Sequence, residues 1–193
     1  AVANTASGVK VTWGKVSGAE NYIVYRKTYN AKTKKWSGWS NIAKGVTSTS
    51  YVDKTAKSGV YYIYTVKAAN GSNCSAHTSG LKTYFLATPK ITSTANTNSV
   101  ITVKWGKVAG AGGYVVYRKT TGGWTKLGTT KGTSFNDKTA KAGVTYKYTV
   151  KAYNGSYVSA YNTSGTAIRR LSTPKLAKVV SAKTGITFTW GKV

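Results

Sequence analysis

Apolar residues recur at every second position in three short runs: Val9, Val11 and Trp13; Ile101, Val103 and Trp105; Ile186, Phe188 and Trp190. A period of two is that of a strand with one buried face. Each tryptophan is followed by the same Gly-Lys-Val exit, so the segments 11–16, 103–108 and 188–193 are copies of one another. The tryptophans stand 92 and 85 residues apart, the length of a small β-sandwich, and the chain therefore reads as a tandem repeat.

Between these runs the pattern predicts further strands in the same order twice. Tyr22 to Lys27 is rich in β-branched and aromatic residues, with Tyr22 and Val24 on one face and Ile23 and Tyr25 on the other; residues 114–120 repeat it. Ile42 and Tyr51 mark two short strands. Tyr62, Tyr64, Val66 and Ala68 alternate along a strand with a tyrosine-rich inner face, matched by Tyr146, Tyr148, Val150 and Ala152. Asn70-Gly71 and Asn154-Gly155 are strong tight-turn signals. Residues 74–86 then read as the closing strand. The units differ mainly in one loop, where Thr121-Gly122-Gly123 replaces Tyr29–Gly38.

The boundaries expected are 1–88 for the first unit and 89–174 for the second, meeting at Ala87-Thr88-Pro89-Lys90. Proline makes each junction a short, stiff step, and a rod-like tandem is expected. Residues 175–193 supply only the first two strands of a third unit. Two strands do not make a sandwich, so this segment is expected to be disordered, packed on the second unit, or paired with another molecule. A repeat that stops at Val193 suggests a fragment of a longer chain.

Charge changes the picture of the surface. There are 29 Lys and Arg against 3 Asp and Glu, a net charge of +26. The excess is spread over both units, so the whole surface is basic, polyanions are attracted, and few lysines can have a carboxylate partner. The single cysteine, Cys74, allows no internal disulfide; opposite Val158 in the repeat, it reads as a small buried apolar residue. No apolar stretch is long enough to span a membrane.

Taken together these residues resemble the fibronectin type III family over essentially the whole chain. The strand-B tryptophan of that family corresponds to Trp13, Trp105 and Trp190. Its strand-C Tyr-x-Val corresponds to Tyr22/Val24 and Tyr114/Val116, and its tyrosine corner to Tyr62 and Tyr146. The chain departs from the family pattern at Ala56 and Ala140, where a leucine is usual. The resemblance implies an all-β fold: tandem fibronectin type III (Ig-like) β-sandwiches of about seven strands each in Greek-key order. The lysine-rich wording is similar to repeats in secreted and surface proteins of Gram-positive anaerobic bacteria. That similarity implies an extracellular or cell-surface location and a spacer beside other modules.

Candidate chemistry is sparse. Asp53 and Asp137 hold equivalent places, which points to a structural turn role; Glu20 has no counterpart. Cys74 and His77 lie three apart on a strand and so on opposite faces, against a dyad or zinc site. No enzyme, cofactor or metal site is expected. Two places could bind a ligand. One is the aromatic and basic group of Tyr25, Trp36, Trp39 and Lys27, with Tyr117, Trp124 and Lys119 in the second unit. Rings beside cations suit sugars and anionic glycans, or stacked bases; the alternative is that Trp39 and Trp124 simply cover their own sheet. The other is the end loop, Gly71-Ser72-Asn73 and Gly155-Ser156-Tyr157, a recognition site in fibronectin-like folds or a plain hairpin.

The function expected is that of a non-catalytic structural and interaction module, spacing or presenting neighbouring domains of the same chain and held by its lysines to an anionic polysaccharide or cell-wall polymer. The alternatives are an adhesin that binds a host surface protein such as an immunoglobulin, and a nucleic-acid-binding protein.

Overall fold

The computed structural model describes residues 1–97 and 100–192; Val193, the last residue of the third repeat copy, lies outside them. The first repeat contains β1 (Val2–Thr5), β2 (Gly8–Thr12), β3 (Asn21–Asn30), β4 (Lys35–Trp36), β5 (Ser40–Val46), β6 (Ser50–Asp53), β7 (Val60–Asn70), β8 (Asn73–Cys74) and β9 (Leu81–Phe85). The second contains β10 (Ile91–Thr97), β11 (Val100–Trp105), β12 (Gly113–Thr120), β13 (Gly123–Thr130), β14 (Ser134–Asp137), β15 (Thr145–Asn154), β16 (Tyr157–Val158) and β17 (Thr166–Arg169). A last hairpin pairs β18 (Leu176–Ala182) with β19 (Gly185–Trp190).

In each repeat three strands form one antiparallel sheet, β1-β2-β6 or β10-β11-β14. The other sheet is built on four longer strands, in the order β5-β3-β7-β9 or β13-β12-β15-β17, to which the two-residue strands β4 and β8 or β16 add short pairings. Strands β6 and β14 return to the first sheet after the chain has entered the second, which is the Greek-key crossing. The chain folds as tandem all-β, two-sheet sandwiches, with the Greek-key order expected from the sequence. The period-two residues face inward: Val9 and Val11 meet Tyr62, Tyr64 and Phe85, and Ile101, Val103 and Trp105 meet Tyr114, Val116, Tyr146, Tyr148 and Val150. The tyrosine corners close as expected. The Tyr62 hydroxyl accepts from the Lys57 amide at 2.8 Å and that of Tyr146 from the Lys141 amide at 3.0 Å. Ala56 and Ala140 pack against the cores in place of the usual leucine.

One polar cluster crosses each sandwich. Asp53, at the end of β6, is only 1% exposed. Its carboxylate accepts from Arg26 Nη1 at 2.6 Å, Tyr64 Oη at 2.7 Å, and the Thr55 amide and hydroxyl at 2.9 and 2.7 Å. Asp137 repeats it with Arg118 (2.8 Å), Tyr148 (2.6 Å) and Thr139 (2.9 and 2.7 Å). Burial by itself would raise these carboxyls, but the hydrogen bonds outweigh it and hold both below the ordinary aspartate value of 3.8. Each guanidinium also lies over a corner tyrosine, Arg26 5.0 Å from the Tyr62 ring centre and Arg118 4.6 Å from that of Tyr146.

Two expectations are corrected. The closing strand does not run over residues 74–86: the chain pairs briefly as β8, leaves the ladder, and re-enters as β9. Ser75 causes the break, because its hydroxyl accepts from the Ala68 amide and donates to the Ala76 carbonyl, occupying groups a longer ladder would use. Cys74 is exposed, not buried, since β8 lies at the tip of that excursion. The third segment forms the β18–β19 hairpin with the register and bulge of β10–β11, yet it is uncovered: Trp190 is 64% exposed where its counterpart Trp105 is 3%.

The two sandwiches meet through specific contacts. Tyr84 and Leu86 of the first belong to the core cluster of the second. The Tyr84 hydroxyl donates to the Gly110 carbonyl at 3.3 Å, Ser58 Oγ donates to the Ala109 carbonyl at 2.8 Å, and Asn4 Nδ2 lies 3.0 Å from the carbonyls of both Tyr84 and Val158. Gly110, at φ +79°, lies so close to Gly59 and the Tyr84 hydroxyl that a Cβ there would collide with both.

Replacing Asp137 by Ala strands Arg118 against a buried face and should cost about 3 kcal/mol, read from a denaturant melt. Because both aspartates are depressed, their stabilisation is complete above the unfolded value of 3.8 and is lost as pH falls through the folded values. The denaturation midpoint should therefore be level from neutral pH down to that value and drop below it. Gly110→Ala should leave both sandwiches folded but loosen their junction, seen as a wider interdomain distance distribution by small-angle scattering.

Candidate functional site

The outward face of the β5-β3-β7-β9 sheet carries the aromatic and basic residues, because alternation on β3 sends Tyr22 and Val24 inward and Tyr25, Lys27 and Tyr29 outward. Trp39 comes from the chain just before β5. Lys27 Nζ lies 4.9 Å from the Trp39 ring centre, and Lys67, from β7, lies 5.7 Å from that of Tyr25. His77 closes the group, 5.2 Å from Trp39 and 6.2 Å from Tyr25. Its Nδ1 is 2.9 Å from the Thr78 carbonyl, which orients the ring.

The second sandwich repeats the arrangement with changed residues. Tyr161 takes the place of His77, 6.1 Å from Trp124, and Lys151 stands over Tyr161 at 4.6 Å and Tyr117 at 5.7 Å. Tyr117, Trp124, Lys151 and Tyr161 enclose a recess of about 70 Å³. Lys119 pairs with Trp124 in the ladder but contributes instead to a wider hollow of about 570 Å³ with Lys147, Thr121, Thr163 and Ser164.

Both Trp39 and Trp124 are half-buried, resting on the connection that re-enters the last strand. A Cβ built on Gly165 would meet Trp124 Cη2 at 2.6 Å, and one on Gly80 would meet Trp39 Cη2 at 3.1 Å. The equivalent glycines thus seat the equivalent tryptophans. Trp39 covers the sheet and also carries the Lys27 ammonium over its ring, whereas in the second sandwich the cation stands over Tyr117 and Tyr161 beside Trp124.

Trp36 is not part of this group. It pairs with Tyr29 at 5.2 Å in a separate cleft with Tyr61 and Lys82, made by the longer hairpin of the first repeat. The end-loop candidates also separate. Gly71, Ser72 and Asn73 form an exposed turn, anchored by the Gly71 amide on Glu20 Oε2 at 3.2 Å. Gly155 and Ser156 are exposed, whereas Tyr157 packs 5.7 Å from Tyr61 and 5.8 Å from Tyr84 at the junction. The sequence pattern did not single out Lys67, Lys82, Lys151, Tyr61, His77 or Tyr161 as partners of these rings. The two lysines 67 and 151 were legible in principle, as outward residues beside Tyr25 and Tyr117 on the neighbouring strand.

No family model matches the chain, and no curated protein matches it. Among solved structures it is similar to the chicken interferon gamma receptor alpha chain, at 13% identity over 89% of this chain and 96% of that one, with a TM-score of 0.46. It is similar to a two-domain fibronectin type III segment of chicken tenascin, at 20% identity over 88% and 96%, with a TM-score of 0.45. It is also similar to the chicken CNTN1 FN1-FN3 domains, at 15% identity over 89% and 66%, with a TM-score of 0.40. No helix among the described residues is long and apolar enough to cross a membrane.

Gly165→Ala should displace the Trp124 ring and shift its indole N–H resonance, with a loss of about 1 kcal/mol from strain at φ +67°. Gly155→Ala, at φ +55° with open space around it, should show the strain without the resonance shift.

Proposed function

We propose that the chain is a non-catalytic extracellular spacer that also holds an anionic polysaccharide on the outer faces of its two four-stranded sheets. It is divided near residues 88 and 174, and it presents the domains joined to it at a bacterial cell surface. The observation that carries this reading is the recurrence of one arrangement, a half-buried tryptophan, an outward tyrosine and a lysine over a ring, in two repeats that differ at many other positions. A sandwich needs a cover for its sheet, but it does not need a lysine poised over an outward tyrosine beside that cover twice.

The chemistry suits acidic sugars. The C–H face of a pyranose is apolar and carries slight positive charge, which matches the electron-rich face of Trp or Tyr. A carboxylate or sulfate on the same ring meets the neighbouring ammonium. Both buried aspartates are committed to arginine, and among the described residues no lysine is paired with a carboxylate. A net charge of +26 adds long-range attraction.

Binding to an acidic glycan array should therefore weaken between about 50 and about 200 mM salt without vanishing, because ring stacking is not screened. Trp39→Ala and Trp124→Ala should each reduce retention several-fold and together reduce it further, with the circular-dichroism spectrum unchanged. Equal, salt-erased binding to every polyanion by the wild type and the double variant would instead mean a charged coat with no site. Retention of a protein ligand that survives both substitutions would favour an adhesin working through the end loops.

A further inference from the structure

The first sandwich has a second ring cleft that the other lacks. Tyr29 and Trp36 face each other at 5.2 Å across the β3–β4 hairpin, and Tyr61 of β7 stands edge-on to Tyr29 at 6.2 Å. Together with Lys82 of β9 they line a recess of about 210 Å³. In the second sandwich the hairpin is shortened, Tyr61 is replaced by Thr145 and Lys82 by Ala167, so no equivalent cleft can form.

An aromatic cage of this kind ordinarily suits a cation. Here the cation is already present. Lys82 Nζ lies 4.7 Å from the Tyr61 ring centre and 5.8 Å from that of Trp36, and the surrounding field is strongly positive. A cationic ligand would have to expel Lys82 against that field. An anionic one needs only to approach the exposed ammonium and lay an apolar face on Trp36, which is half-buried.

The cleft shares its sheet face with the Trp39 group. Tyr25 and Tyr29 are four residues apart on β3 and both point outward, a separation of about 13 Å, with Lys27 between them. The floor of the cleft is held from behind, since Tyr61 packs against Tyr84 at 4.4 Å and meets Tyr157 of the second sandwich edge-on at 5.7 Å. The junction thus fixes the ring that the ligand would meet.

We infer that Tyr29, Trp36, Tyr61 and Lys82 form a second subsite for a uronic-acid residue, so that the first sandwich grips an oligosaccharide at two points, whereas the second sandwich grips a single ring. This deepens the glycan reading above, yet it rests on a different set of side chains.

The test uses the full chain carrying Trp124→Ala, which leaves the first sandwich to report alone, titrated calorimetrically with galacturonic acid and its linear oligomers up to the hexamer. Affinity should rise at least tenfold from the monomer to the hexamer. Adding Trp36→Ala should remove that gain while leaving monomer binding at Trp39. Lys82→Gln, which keeps the rings, should weaken the hexamer by a similar factor but not a neutral hexasaccharide of glucose. If Trp36→Ala and Lys82→Gln both bind the hexamer as the parent does, the second subsite is overturned and the Trp39 reading stands. If Trp39→Ala is silent while Trp36→Ala abolishes binding, the reverse holds. Absence of any uronate binding, or saturable binding of choline to the cleft, overturns the inference outright. Far-ultraviolet circular dichroism of each variant excludes loss of fold as the cause.

Discussion

The structure hangs on a buried carboxylate in each sandwich. Asp53 and Asp137 sit at the end of a strand in the three-stranded sheet, and they take hydrogen bonds from an arginine and a tyrosine that belong to the four-stranded one. The cluster therefore joins the two layers where an apolar core would only press them together. It also carries a penalty that an apolar contact does not, because removing any member leaves a buried polar group without its partner. The threonine two residues on completes the shell with its amide and hydroxyl, so every strong acceptor site on the carboxylate is in use.

This use of the acids sets the character of the surface. Only three carboxylates exist, and the only two ion pairs among the described residues are these buried ones with arginine. The lysines are left without carboxylate partners. Several find the next best neighbour, the face of an aromatic ring: Lys27 over Trp39, Lys67 over Tyr25, Lys82 over Tyr61, Lys151 over Tyr161. Such contacts are individually weak at an exposed site, about 0.5–1 kcal/mol, and they leave the ammonium hydrogens free for another anion. The fold hides two of its three side-chain acids and sets several of its lysines on rings.

The sandwich fold was legible from alternation and from the tyrosine, proline and Asn-Gly punctuation, since these act through local geometry. The equivalence of Asp53 and Asp137 was enough to assign a structural role, though not the arginine and tyrosine that complete it. The closing strand departs from its periodicity because a single serine, Ser75, takes over backbone groups that alternation assigns to a ladder. The same excursion explains why Cys74 is exposed and why His77 and Tyr161 join the outer rings. Periodicity tells which way a residue points within a strand; it does not tell where a connection lies once it has left one. Trp36 and Trp39 are three residues apart and were grouped together, yet the β3–β4 pairing sends them to different neighbours.

The junction shows how a repeat protein can differentiate identical parts. The asparagine at the start of each unit makes the same contact twice, Asn4 to the carbonyl of Tyr84 and Asn96 to that of Arg169. The residues at those two strands then diverge: Tyr84 stacks with Tyr61 and Tyr157, while Arg169 is exposed and faces Thr145 in the ladder. The aromatic seal therefore belongs to one junction alone. Trp105, at the end of the strand that runs into that junction, is buried, and its counterpart Trp13 is only half-buried. Packing one sandwich on the next thus stabilises the core of the second and at the same time fixes Tyr61 on the surface of the first. The same contact thus serves both as a junction between the sandwiches and as part of the wall of a cleft.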